Sequence, residues 1–145
     1  AGFSLNKENL KIFENYILED FLKSKIINDN IFSYESEVSS LAFNQEFYDD
    51  IKKLAPFGSG NSVPTFMLRG LIVVKPIILN NKHISVILKS KTGFSIKSIS
   101  FNSINTKIGE HLMSYKNNIN VIGQINENIW NNKKNLQLTI RDLIL

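Results

Sequence analysis

Beyond Pro64 the apolar residues change from helical spacing to alternation, and this switch limits the fold more than any other feature of the chain. The segment "TFMLRGLIVVKPIIL" (65–79) is long and rich in β-branched residues, with Gly70 inside it at a predicted bulge or bend. "NNKH" turns it into "ISVILKS", where Ile84, Val86 and Leu88 alternate, and "KTG" turns again into "FSIKSISF". Residues 102–115, "NSINTKIGEHLMSY", carry the helical pattern of this half, with Ile108, Leu112 and Tyr115 facing inward. "NVIGQINEN" reads as a fourth strand, "IWNNKKN" as a loop, and "LQLTIRDLIL" as a fifth strand.

Three strands, one helix and two strands over residues 65–145 predict a mainly β fold. The expected architecture is the five-stranded Greek-key barrel of the OB-fold, with a helix between strands 3 and 4. An SH3-like barrel is the structural rival, but it normally lacks a substantial helix at that point.

Upstream the pattern is helical. Residues 6–24 place Leu10, Phe13, Ile17 and Phe21 on one face, with Asn6 as the expected N-cap and Glu8 favourable in the first turn. "IFSYESEV", beginning at Ile31, reads as a short strand. "NQEFYDDIKKL" reads as a second helix with Phe47, Ile51 and Leu54 on one side, ending before Pro56. Between the two regimes lies "LAPFGSGNSVPTF" (54–66), dense in glycine and proline, the signature of a joint. The expected division is therefore residues 1–28, a connector over 29–64, and a barrel over 65–145.

Charge divides at the same joint. The net charge is +4, but residues 1–60 carry about −4 and residues 61–145 about +8. A basic domain attracts polyanions, of which nucleic acid is the commonest. Lysine and asparagine are abundant throughout, as in an AT-rich coding sequence, yet that does not explain why acids nearly vanish from one half. The chain has 145 residues, 43% of them hydrophobic, which is enough for a real core. The longest apolar run is interrupted by Lys75 and Pro76, so no membrane helix is expected. No secretory signal pattern is present. Absence of cysteine excludes a disulfide framework and fits a reducing compartment. The chain opens at Ala1 without a methionine, so a longer parent protein is expected.

Residues for hydrolytic or metal chemistry are not clustered. His83 and His111 have no carboxylate at ligand spacing, Asp49 and Asp50 are adjacent and face different directions on a helix, and "GSGN" lacks the Lys-Ser/Thr of a phosphate loop. A binding surface is better supported. On strand 2 the alternation turns His83, Ser85, Ile87 and Lys89 outward; strand 3 adds Lys97 and the turn before it Lys91. The 4–5 loop carries Trp130, Lys133 and Lys134. An aromatic ring beside ammonium groups suits single-stranded nucleic acid, the ring stacking on a base and the amines neutralising phosphates. The plainer reading packs Trp130 over the barrel end and leaves the lysines as solubilising groups.

Several segments together resemble the RecJ family of single-stranded-DNA-specific exonucleases, within the Asp-His-His phosphoesterase superfamily. "LAPFGSGNSVPTF" resembles the family's Leu-x-Pro-Phe-Gly-x-Gly-Asn-Pro-x-Pro-x-Phe signature, and "AGFSLNKENLKIF" resembles the end of its Gly-Gly-His-x-x-Ala-Ala-Gly-Phe-Ser segment. "INENIWNNKKNLQLTIRDL" resembles its closing strands. Ser62 and Asn132 depart from the family's usual proline and glycine. The resemblance implies that residues 1–28 end a preceding domain and that the parent is a bacterial cytoplasmic enzyme. That enzyme would degrade single strands 5′ to 3′ in DNA repair and recombination, with manganese or magnesium held upstream. No cofactor, metal ligand or catalytic residue carries over to this chain.

The expected ligand is single-stranded DNA, contacted by Lys89, Lys97, Lys133 and Lys134 at phosphates and by Trp130 and His83 through stacking. Pro56, Phe57, Gly58, Gly60, Asn61, Pro64 and Phe66 are expected to form the structural joint. Two other readings stay open: a related phosphoesterase acting on RNA or a small nucleotide, and a protein-docking OB module that engages a helicase or single-strand-binding protein.

Overall fold

The computed structural model describes residues 4–23, 33–114, 118–130 and 133–144, apart from the side chains of Leu22, Lys23 and Trp130. The chain divides into two units, residues 1–31 and 32–145. In the first, a 3₁₀ turn at Lys7–Asn9 leads into α1 (Leu10–Lys23). The expected cap at Asn6 is not made by its side chain; its backbone carbonyl accepts from the Asn9 N–H instead, because the helix opens as a 3₁₀ turn. Position 24, the expected helix end, lies outside the described residues.

The second unit begins with β1 (Ser36–Glu37) and α2 (Gln45–Lys52), followed by the strands β2 (Phe66–Leu79), β3 (His83–Lys89) and β4 (Ser95–Ser100). After α3 (Lys107–Ser114) come β5 (Ile119–Trp130) and β6 (Lys133–Ile144). β2 pairs with both β3 and β5, β4 with both β3 and β6, and β5 with β6, so the last five strands close on themselves. The β4–β6 pair is parallel and the other barrel pairs are antiparallel. The order of strands and helix is the one the sequence predicts. Ile31, where a strand is expected to begin, lies outside the described residues; the ladder there is the two-residue β1, parallel to β2.

Within the barrel β2 serves two neighbours, β3 and β5, because it bends twice. Gly70 has φ +65° and donates its N–H to Asn120 Oδ1 at 3.1 Å, and the register with β5 shifts between Leu68 and Leu71. A second shift, against β3 between Val74 and Ile77, falls on Lys75 and Pro76. Proline has no N–H for the ladder, so a bulge is where a strand tolerates it. Asn80 and Asn81, both with positive φ, then make the tight turn into β3, closed by the Lys82 N–H on Leu79 O at 3.1 Å.

Ile84, Val86 and Leu88 point into the barrel and are essentially inaccessible, as are Leu68, Leu71, Leu112, Val121 and Leu138. Burying each aliphatic side chain contributes about 1.5–3 kcal/mol. α3 is shorter than residues 102–115: Asn102 and Asn105 adopt left-handed backbone (φ 50° and 61°), which a helix cannot contain, and Tyr115 lies outside the described residues. Gly109 of α3 lies against Ser103, where a Cβ would come 1.9 Å from the carbonyl oxygen. α2 is capped by Asn44, whose Oδ1 accepts from the Phe47 N–H at 3.1 Å. Its Phe47 meets Phe66 at 5.0 Å and Ile51 is buried in the barrel's core cluster, whereas Leu54 falls beyond the helix end and is exposed. The turn forced before Pro56 rotates Leu54 off the helix face.

Candidate nucleic-acid interface

Two side chains, Asn61 and Gln124, hold residues 54–66 in place. Asn61 Nδ2 donates to Leu54 O at 3.0 Å and to Pro56 O at 2.9 Å, while the backbones of Gly58 and Asn61 bridge each other. Gly60 has φ +82°, a conformation that side chains disfavour, and the Ala55–Pro56 peptide is cis. Phe57 packs on the core and Pro64 and Phe66 are buried. Gln124 of β5 donates to Val63 O at 2.9 Å and to Thr65 Oγ1 at 3.2 Å, tying the end of the joint to the barrel.

The outer face of the barrel is read from its register. Val74, Ile87, Lys97, Gln137 and Asn126 form one row of Cα partners across β2, β3, β4, β6 and β5. The neighbouring row contains Ile72, Lys89 and Ser95. Lys89 and Lys97 are therefore diagonal neighbours, both exposed, with half-buried Val74 and Ile87 beside them. That pair of cations on an open, partly apolar sheet face is the part of the expected site that the structure brings together.

The expected 4–5 loop over residues 129–135 is not a loop. β5 and β6 pair through Asn128↔Asn135, Ile129↔Lys134 and Trp130↔Lys133. Cross-strand backbone bonds outweigh a composition that reads as turn, and only positions 131 and 132 separate the strands. Asn132 and the Trp130 side chain lie outside the described residues. Lys133 and Lys134, as successive strand residues, point to opposite faces. Lys134 Nζ pairs with Glu127 Oε2 at 3.2 Å, and hydrogen bonds from Lys52 and then Gln45, with a smaller contribution from the Lys134 charge, hold the Asp49 carboxyl of α2 below the usual carboxylate range.

His83 sits at the other end of β3 from Lys89. Its Nδ1 accepts from the Asn102 N–H at 2.9 Å, and its ring meets Phe101 at 5.2 Å and 76°. The aromatic ring presented there is Phe101, 53% exposed, which the sequence does not distinguish from a core position at a strand end. Phe94, just before β4, is a second half-buried ring that sequence reasoning missed; Phe43 fixes it at 6.4 Å and 85°. Asp49 and Asp50, solvated as expected of adjacent helix residues, pair with Lys52 and Lys53 at 2.7 and 2.6 Å.

Among the described residues no group of three or more His, Cys, Asp or Glu could hold a metal ion, so manganese or magnesium does not fit the donors found there. No helix among the described residues is long and apolar enough to cross a membrane.

A five-stranded barrel with the first strand shared between second and fourth, the third parallel to the fifth, and a helix between third and fourth is an OB-fold. The family model "RecJ OB domain" matches residues 34–142, and the chain belongs to that family. Its fold is similar to RecJ from Thermus thermophilus, solved in complex with Mn2+: TM-score 0.68, 16% identity, 99% of this chain and 20% of that one. The Mg2+ complex of the same protein gives TM-score 0.68 and 16% identity over 98% of this chain and 21% of that one. This chain thus spans about a fifth of that RecJ's length. Rim1, a mitochondrial single-stranded DNA binding protein from S. cerevisiae, matches 55% of this chain and 89% of its own at 14% identity, with TM-score 0.43. No curated protein matches the sequence.

Proposed function

We propose that this chain is the single-strand-gripping OB domain of a RecJ-type exonuclease, and that it binds DNA without cleaving it. The observation that carries the reading is the placement of Lys89 and Lys97 as exposed diagonal neighbours on the β3–β4 face, beside Val74 and Ile87. OB-folds present this face to extended nucleic acid. Two ammonium groups over an apolar strip supply phosphate neutralisation next to surface on which bases can lie. Family membership and the excess of basic residues after the joint support the same reading. In the parent, residues 1–28 end the preceding domain and the clasp at Asn61 sets the barrel beside the nuclease channel. That enzyme hydrolyses single strands 5′ to 3′ with divalent metals in bacterial DNA repair and recombination.

The test is binding of a labelled single strand by the wild type and by Lys89→Ala/Lys97→Ala. Removing two phosphate-neutralising amines lowers the slope of log K against log salt by about 1.4 on a single strand. An unchanged slope contradicts the assignment.

A specific observation favours a second reading, protein docking. Ile77, Ile78 and Leu79 are exposed at the tip of the β2–β3 hairpin, and the exposed Phe101 stands against His83 close by. A single-strand-binding protein or helicase would engage this tip, and such binding would persist at high salt.

A further inference from the structure

β4 and β6 run parallel only from Lys97↔Gln137 to Ile99↔Thr139; before that point they part. The parting opens a groove of about 400 Å³ lined by Phe43, Phe94, Lys97, Lys134 and Leu136. Phe43 comes from the connector and the others from the barrel, so the groove belongs to both. Its volume is within the roughly 300–1,000 Å³ of small-ligand sites.

We propose that this groove holds one nucleotide of the single strand, its phosphate on Lys134 and its base against Phe94. The proposal rests on the single-strand reading above and extends it from an open sheet face to a built subsite that includes the connector. Lys97 stands in the outer row with Ile87 and also lines the groove, so a strand lying on the β3–β4 face runs to the groove's edge. Lys134 is already tethered at the groove by Glu127. An ammonium has three N–H donors, so it can keep that carboxylate and still donate to a phosphate oxygen. Phe43, buried and set at 85° to Phe94, fixes the plane of the ring that the base meets. The cleft beneath Phe101 is smaller, about 260 Å³, and the guanidinium of its one cation, Arg141, is bonded to Gln124 at 2.8 and 3.2 Å, so it is the weaker candidate.

The experiment is photo-crosslinking of the native chain to an oligodeoxythymidine carrying 5-iododeoxyuridine, mapped by tryptic peptide mass spectrometry. Residues 92–97 form one tryptic peptide with Phe94 as its sole aromatic residue, while Phe101 falls in 98–107 and Trp130 in the peptide ending at Lys133. The proposal expects a crosslink in 92–97 and a loss of affinity of about tenfold in Phe94→Leu. Thermal unfolding checks that the variant is folded; if it is not, the native crosslink decides. Crosslinks confined to other peptides overturn the groove while leaving single-strand binding intact. Absence of any binding to the oligonucleotide overturns the single-strand reading and the groove with it.

Discussion

Lys134 Nζ lies 3.2 Å from Glu127 Oε2 across the β5–β6 hairpin, on the opposite strand face from Lys133. Two lysines adjacent in sequence therefore have different surroundings: one tethered to a carboxylate that is only 17% exposed, the other exposed on the face shared with Asn135 and Gln137. Glu127→Gln keeps the shape and removes the competing charge. Single-strand affinity is expected to rise about threefold, the worth of one unit charge at about 7 Å in water. Titration of a labelled oligonucleotide checks it; unchanged or weaker binding places the phosphate elsewhere.

Replacing Lys133 and Lys134 together with Ala is expected to weaken binding and to lower the salt slope, by about 0.7 for each phosphate no longer neutralised on a single strand. The single variants separate the two faces. With Lys134 at the groove, Lys134→Ala carries a full step in slope, and a double variant with the wild-type slope rejects both lysines as phosphate ligands.

The joint can be tested without DNA. Asn61→Asp preserves size but removes the two N–H donations to Leu54 O and Pro56 O and sets a carboxylate against two carbonyl oxygens. It is expected to cost at least about 1 kcal/mol, as is Asn61→Ala. Urea denaturation of the three proteins measures this, and wild-type stability in the aspartate variant would show that the clasp is not a structural element.

The fold was legible in the sequence because burial sets the alternation. Ile84, Val86 and Leu88 had to face one side, and the single helical stretch among strands fixed the order of elements. What was not legible depended on contacts between distant residues. "IWNNKKN" has the composition of a loop, yet most of it is strand, because the ladder with β5 uses backbone groups that composition does not report. Leu54 fits the helical spacing of Phe47 and Ile51 but falls in the turn between the helix end and Pro56. The groove was hidden for the same reason: Phe43 and Phe94 are far apart in sequence, and no local pattern marks two rings that meet only when the connector folds onto the barrel. Lys89 and Lys97 were legible as outward residues, but their diagonal placement needed the register.

Gly109 reports how tightly the β4–α3 loop closes on the helix. A Cβ there meets Ser103 O at 1.9 Å and Ser103 C at 2.9 Å, both backbone atoms that cannot rotate away. Gly109→Ala is expected to destabilise the barrel by about 2 kcal/mol or more, read as a fall in melting temperature. A neutral result would mean that the helix stands off the loop.

Acid should loosen α2. The Asp49 carboxyl is held below the usual range first by its hydrogen bond with Lys52, then by Gln45. A lowered folded pKa contributes stability that is present above the ordinary carboxylate pKa and is lost as pH falls through the lowered one. Asp49 is exposed, so the effect is small and weakens with salt. Asp49→Asn should flatten the acid limb of the stability profile, and an identical limb in both proteins would remove the pair from the account.

The most direct measurement is fluorescence anisotropy of this chain with a labelled single strand and with the matching duplex over a salt series. A barrel that grips single strands should prefer the single strand, with affinity that falls linearly in log–log form as salt rises. Equal binding to duplex, or no binding by a folded protein, would contradict that grip and shift the role of the barrel to the exposed Ile77–Leu79 tip as a docking surface.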